Sequence, residues 1–271
     1  MNTALVNVIT ELVEHACASE KNKIGYEIWK YHIKPMVPIA QELATVHKAD
    51  EEIVTLAVLL HDLAGIEDFS KRKQHHIFGA ERAKEILAGY QYPSDKIELI
   101  AKSILNHRAD LNLPKNSPEE YCVADADMLI NIVDIPSLFY DSYHQEHLCI
   151  AEGKTWRQST LQLYWEHVSP VSQAQFLDRF TLAKRLSQGN ESENYSFGTD
   201  IERSLADADA VAHMSDLPSL FFVAYEKQGM EFEEGRHWVL QKIQSDWQKM
   251  SKLARARYAD QYSEILNVFY S

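Results

Sequence analysis

His61 and Asp62 stand together inside AVLLHDLAG, residues 57–65, a stretch that is otherwise apolar. Burying an unpaired carboxylate costs several kcal/mol, so Asp62 calls for a cation, and the imidazole beside it is a standard ligand for a divalent metal. A hydrogen-bonded His–Asp core pair would use the same two residues without a metal, so the surrounding chain has to decide. His32 lies just before Pro35 and Pro38, His75 and His76 open a helical stretch, and His107-Arg108 close another. Farther on, CVADADMLINIVDI carries Asp125 and Asp127 on a mostly apolar segment. Those two acids repeat the problem posed by Asp62, and one cation shared between the two segments would answer both.

The elements that must hold these residues read as helices. Asp50-Glu51-Glu52 supplies an N-cap and an acidic first turn, Ile53, Leu56, Ala57, Leu60 and Ala64 recur at helical spacing, and Gly65 offers a C-cap. This predicts one buried helix of about four turns. Residues 3–21 predict an amphipathic helix with Leu5, Val8, Ile9, Leu12 and Val13 on one face. Pro35 and Pro38 remove two backbone donors and should kink or interrupt the helix that carries His32. IEDFSKRKQ predicts a loop whose Lys71, Arg72 and Lys73 form either a solvated tip or an anion clamp over the site. His75 and His76 fall in the first turn of the next helix, where the dipole favours the neutral, metal-binding imidazole. Pro93-Ser94-Asp95 starts the helix ending at His107-Arg108, and Ser117-Pro118-Glu119-Glu120 is a capping box for the helix of Asp125 and Asp127.

The order His32, His61-Asp62, Asp127 resembles the HD superfamily of metal-dependent phosphohydrolases. The match runs from about Tyr26 to Phe139 through YHIKPMVPIAQELA, LAVLLHDLAG, HHIFGAERA, ILNHR and VADADML. The resemblance implies His32, His61, Asp62 and Asp127 as ligands of one metal, and His75 and His107 as additional ligands of a second, with Asp62 bridging. His76 stands behind His75 as the alternative, and Asp125 is implied to support Asp127. A nitrogen and oxygen ligand set of this kind suits Mn, Fe, Zn, Ni, Co or Mg, as one or two ions. Relatives often carry a basic residue just after the late Asp, where this chain has Met128, so phosphate contact would fall to Arg108, Lys102 or Lys71, Arg72 and Lys73. The implied activity is hydrolysis of a small phosphate ester, nucleotide or pyrophosphate. A di-iron oxygenase and a non-catalytic, metal-containing binding or regulatory module are the rival readings.

The whole chain agrees with an all-α protein. Its 271 residues are 45% hydrophobic and 25% charged, with nine Gly and eight Pro. Residues 1–187 carry 19 basic and 26 acidic side chains, and residues 188–271 carry 8 and 14. Neither part has the basic surplus that a phosphate backbone requires, which argues against nucleic acid; a small-molecule phosphate substrate is what the HD resemblance implies. Cys17, Cys122 and Cys149 lack a CxxC spacing, and no 18-residue apolar run occurs, so a reducing, cytoplasmic setting without membrane insertion is expected. A homo-oligomer is left open.

Residues 124–187 also align without gaps on 206–269, with 18 of 64 positions identical, where unrelated sequences would share about four. ADADMLINIVDIPSLF returns as ADADAVAHMSDLPSLF. This predicts an HD domain at 1–187, a linker at 188–199 and a non-catalytic helical repeat at 200–271. The second copy has no His-Asp doublet before it, so Asp207 and Asp209 are expected to be structural, and His213, Trp238 and Trp247 to serve packing or an interface.

Overall fold

The computed structural model describes residues 2–111, 113–188 and 201–270, with the side chains of 110 and 201–206 set aside. Among the described residues every regular element is helical, and no helix is long and apolar enough to cross a membrane. The expected linker, apart from Gln188, lies outside the described residues. The chain divides into two compact units: Met1–Ile130 with Tyr164–Leu177, and Asn131–Leu163 with Asp178–Ser271.

The first unit begins with α1 (Thr3–Cys17), α2 (Lys34–His47), α3 (Glu51–Leu60) and α4 (Leu63–Glu67). It continues with α5 (His75–Gly89), α6 (Ser94–Leu105) and most of α7 (Pro118–Val133). Helix α3 is its centre: every residue from Ile53 to Leu60 is buried, and α1, α2, α5 and α6 pack around it. Asp50 caps it by accepting from the Glu52 and Ile53 amides, at 3.0 and 3.3 Å. On α1 the buried stripe is Leu5, Ile9, Val13 and Cys17, whereas Val8 is exposed. A four-residue step follows one face of a straight helix, and Val8 falls off it.

Two local departures from the expected helices matter for chemistry. The predicted four-turn helix breaks at the doublet: α3 stops at Leu60, Asp62 adopts φ −99° and ψ −6°, and Gly65 lies inside α4 rather than capping anything. Adjacent side chains on an unbroken helix diverge by about 100°, so a turn here is what lets His61 and Asp62 face one centre. The chain before the prolines is not interrupted but widened. Residues Trp29–Ile33 form a π turn in which the Lys34 amide donates to the Trp29 carbonyl, and α2 continues directly from it, with Pro35 in its first turn and Pro38 inside it.

The second unit contains α8 (Ile135–Tyr140), most of α9 (Ile150–His167) and the latter part of α10 (Pro170–Gln188). It also holds α11 (Ile201–Ser215), α12 (Leu217–Phe222), α13 (Phe232–Lys249) and α14 (Lys252–Tyr270). The sequence repeat is a structural one: α8, the π turn Asp141–Gln145, α9 and α10 correspond to α12, the π turn Val223–Lys227, α13 and α14. Asp134 and Asp216 cap α8 and α12 in the same way, each accepting from the serine three residues on. The copies meet reciprocally. Phe139 stacks on its counterpart Phe221 at 4.5 Å, Tyr140 meets Tyr225 at 5.1 Å, and Tyr143 meets Phe222 at 5.2 Å. This is the self-complementary pattern of a two-fold interface, built within one chain.

One cluster separates the copies. Arg157 is fully buried, its guanidinium 4.3 Å from the Phe139 ring, donating to Ser142 Oγ at 2.8 Å and the Ser187 carbonyl at 3.4 Å. The positions that correspond to Ser142, Arg157 and Ser187 are Ala224, Val239 and Phe269, all buried as well. The same helix arrangement is therefore packed once around a guanidinium and once with apolar side chains.

Candidate metal centre

All six residues that the HD resemblance implies as ligands lie in the first unit, and they converge. His32 comes from the π turn before α2, His61 and Asp62 from the break after α3, and His75 from the first turn of α5. His107 follows α6, and Asp127 lies on α7. His32 Nε2 is 3.1 Å from His61 Nε2 and 3.3 Å from Asp127 Oδ1. His75 Nε2 is 3.0 Å from His107 Nε2. Asp62 lies between these groups: its Oδ2 is 3.3 Å from His61 Nε2 and 3.6 Å from His32 Nε2, and its Oδ1 is 3.5 Å from His75 Nε2.

The backbone explains why these nitrogens face each other. His61, His75 and His107 each place Nδ1 against the carbonyl three residues earlier, that of Val58 at 2.7 Å, Arg72 at 2.8 Å and Ile104 at 2.5 Å. A carbonyl only accepts, so Nδ1 carries the proton in each ring and the neutral form turns a lone pair inward at Nε2. Two such lone pairs about 3 Å apart repel unless something cationic lies between them. Bonds of about 2.0–2.1 Å at right angles to one ion place ligand atoms about 3 Å apart, so the donor set fits divalent ions by both spacing and chemistry.

Electrostatics tell the same story in the ion-free protein. Burial opposes a charge on His61, but the Asp62 and Asp127 carboxylates outweigh it and push its pKa up to about 9. Burial works against the Asp62 carboxylate too, yet His61, His32 and His75 hold it well below the usual carboxylate range. Asp127 is lowered in the same manner, burial being outweighed by His32, His107 and His61. Burial and the neighbouring His61 push His107 down to about 4, against the pull of Asp127. A proton on His61 thus supplies the positive charge that two half-buried carboxylates demand.

The two acids of ADAD part company, as residues two apart on a helix must. Asp127 joins the cluster, while Asp125 holds the start of α10. It accepts from the Ser169 amide at 3.1 Å and from Ser172 Oγ at 2.6 Å, and His47 Nε2 lies 3.8 Å away. The second copy repeats the capping half: Asp207 accepts from the amide and hydroxyl of Ser251, both at 2.7 Å, ahead of α14. Asp209, the counterpart of Asp127, is exposed beside His213. His213 donates to Asp246, which Lys242 and Lys249 also approach at 2.9 and 3.2 Å. Two ammonium groups already answer that carboxylate.

The basic candidates divide as well. The Phe69–Gln74 segment is a 3₁₀ turn capped by Asp68, not an open loop. Lys71 lies 3.9 Å from Asp68 and over the Phe78 ring at 5.5 Å, and Arg72 and Lys73 are exposed. Arg108 donates to the Lys73 carbonyl at 2.7 Å, tying the end of the His107 segment to this turn. Lys102 is on the exposed face of α6. His76 is buried behind His75, with their rings 5.9 Å apart. Trp247 stacks on Tyr262 at 4.1 Å. Sequence reasoning passed over the carbonyls that orient the imidazoles, and it also passed over Ser169, whose only signal is the following Pro170.

Comparison with known proteins agrees with this geometry. Residues 30–132 match the HD domain family model. An uncharacterized protein of Clostridium beijerinckii (strain ATCC 51743 / NCIMB 8052) is 27% identical over 104 residues, which is 36% of this chain and 66% of that protein. The chain therefore spans just under two thirds of that relative's length. No solved structure matches the chain.

Proposed function

We propose that the chain, whose residues 30–132 match the HD domain family model, is a metal-dependent phosphohydrolase acting on a small phosphate ester, a nucleotide or a pyrophosphate. The observation that carries the reading is Asp62, whose two oxygens are directed at different imidazoles, Oδ2 at His61 and His32 and Oδ1 at His75. His32, His61, Asp62 and Asp127 would hold one divalent ion, and Asp62, His75 and His107 a second. Such ions, when bound, supply Lewis acidity toward a phosphoryl oxygen and make water a better nucleophile at neutral pH. The chain's own part is positional. Three carbonyls fix the imidazoles, Asp62 and Asp127 set the negative charge, and Arg108, held to the Lys73 carbonyl, keeps a guanidinium beside the His107 segment where developing phosphate charge needs a partner. Lys71, Arg72 and Lys73 are the further candidates for that role, and Lys102 the most peripheral.

The test is turnover of a panel of phosphomonoesters, nucleotides and pyrophosphates by protein loaded with Mn, Co, Zn, Ni, Fe or Mg. Bound metal without turnover of any of them would favour a binding module. Oxygen uptake by the iron form would favour an oxygenase.

The reading also sets a pH dependence. The His61 pKa is raised from 6.5 to about 9 in the ion-free protein, so the stabilising charge on His61 is complete below the ordinary value and lost as pH rises through about 9. A bound ion has to displace that proton. Affinity for Mn²⁺ should therefore rise with pH toward about 9, by about tenfold per unit for one displaced proton. Titrations at pH 6, 7 and 8 measure it, and an affinity independent of pH would count against His61 as a ligand.

A further inference from the structure

The contact that brings α5 against the doublet runs through a glycine. A Cβ on Gly79 would lie 2.7 Å from the His61 carbonyl oxygen and 3.3 Å from Ile104 Cγ2. The first distance is shorter than real Cβ contacts, and its partner is backbone, which cannot swing aside as a side chain can. Helix α3, which ends one residue before His61, is buried from Ile53 to Leu60, so α5 is the element that would yield. Gly79 is one turn beyond His75 and on the same face of α5. Another glycine on α5, Gly89, has nothing within 4 Å of an added Cβ.

We infer that Gly79 is a positioning residue for the second metal ion: its missing side chain sets the depth at which α5 delivers His75 to Asp62 and His107. This rests on the two-ion reading of the site. Relieving the 2.7 Å approach to an ordinary 3.4 Å contact needs a displacement of about 0.7 Å, whereas metal–ligand distances tolerate about 0.2 Å. The first ion draws on His32, His61, Asp62 and Asp127, none of them on α5, so a shift of α5 moves none of its ligands.

Ion-free wild type, Gly79→Ala and Gly89→Ala are titrated with Mn²⁺ by calorimetry, alongside thermal melts. The expected result is two equivalents for wild type and Gly89→Ala. For Gly79→Ala one equivalent should be unchanged and the other weakened by about 10–100-fold, the range for supports of a ligand, with a cooperative melt retained. Two equivalents of wild-type affinity in Gly79→Ala would overturn the inference and leave the metal reading standing. Loss of both equivalents, or of the cooperative melt, would assign Gly79 to the fold as a whole and overturn it too. A wild type that binds no Mn²⁺ would overturn the metal reading itself, and the inference with it.

Discussion

Asp62→Asn is expected to leave the protein folded but unable to hold either metal ion. The side chain keeps its shape while an amide NH₂ replaces one oxygen, so a donor faces imidazole nitrogens where an acceptor stood, and one half-buried negative charge disappears. Asp62 touches both groups, with Oδ2 3.3 Å from His61 Nε2 and Oδ1 3.5 Å from His75 Nε2. Affinity should fall by more than the 10–100-fold that loss of an outer support costs, and phosphate-ester turnover by at least about 10³-fold. Elemental analysis of dialysed protein, with melts as the folding control, measures the first. Retention of both equivalents in the variant would remove Asp62 from the site.

The paired acids of ADAD give the second large effect, because chemistry and stability should separate between neighbours. Asp127→Asn removes a carboxylate 3.3 Å from His32 Nε2 and should cost one metal equivalent and nearly all turnover, with little change in the melt of the ion-free protein. Asp125→Ala leaves the site's ligands in place but strips the buried acceptor of the Ser169 amide and the Ser172 hydroxyl. A lost helix cap together with the lost charge-assisted bonds of two hydroxyls should destabilise by about 2–4 kcal/mol while metal content per folded molecule stays at wild type. Asp209→Asn in the second copy, where the side chain is exposed, should change neither metal content nor turnover. Metal content, turnover and melts of the three variants decide it. If Asp209→Asn, and not Asp127→Asn, empties the site, the ligand assignment is wrong.

What was legible in the sequence depended on whether a residue was out of place locally. An acid within AVLLHDLAG and two within CVADADML contradict their surroundings, and that contradiction is visible without a structure. The same holds for the helical class and for the repeat, whose copies show the same caps and the same π turn. The break at His61-Asp62 was not legible, since no Gly or Pro marks it; Asp62 leaves the helix because both side chains of the doublet face one centre. The division of labour between Asp125 and Asp127 was also hidden, because Ser169 and His32, which separate them, are 44 and 95 positions away. Gly79 looks in sequence like any small residue of an amphipathic helix. Its importance exists only in the distance to the His61 carbonyl.

The most direct test is the number of divalent ions bound per chain by the wild type and by His75→Ala and His107→Ala. Two ions in the wild type and one in each variant is the predicted result, since His32, His61, Asp62 and Asp127 remain to hold the other. A wild type that binds none, or variants that bind as many ions as the wild type, would contradict the two-ion centre.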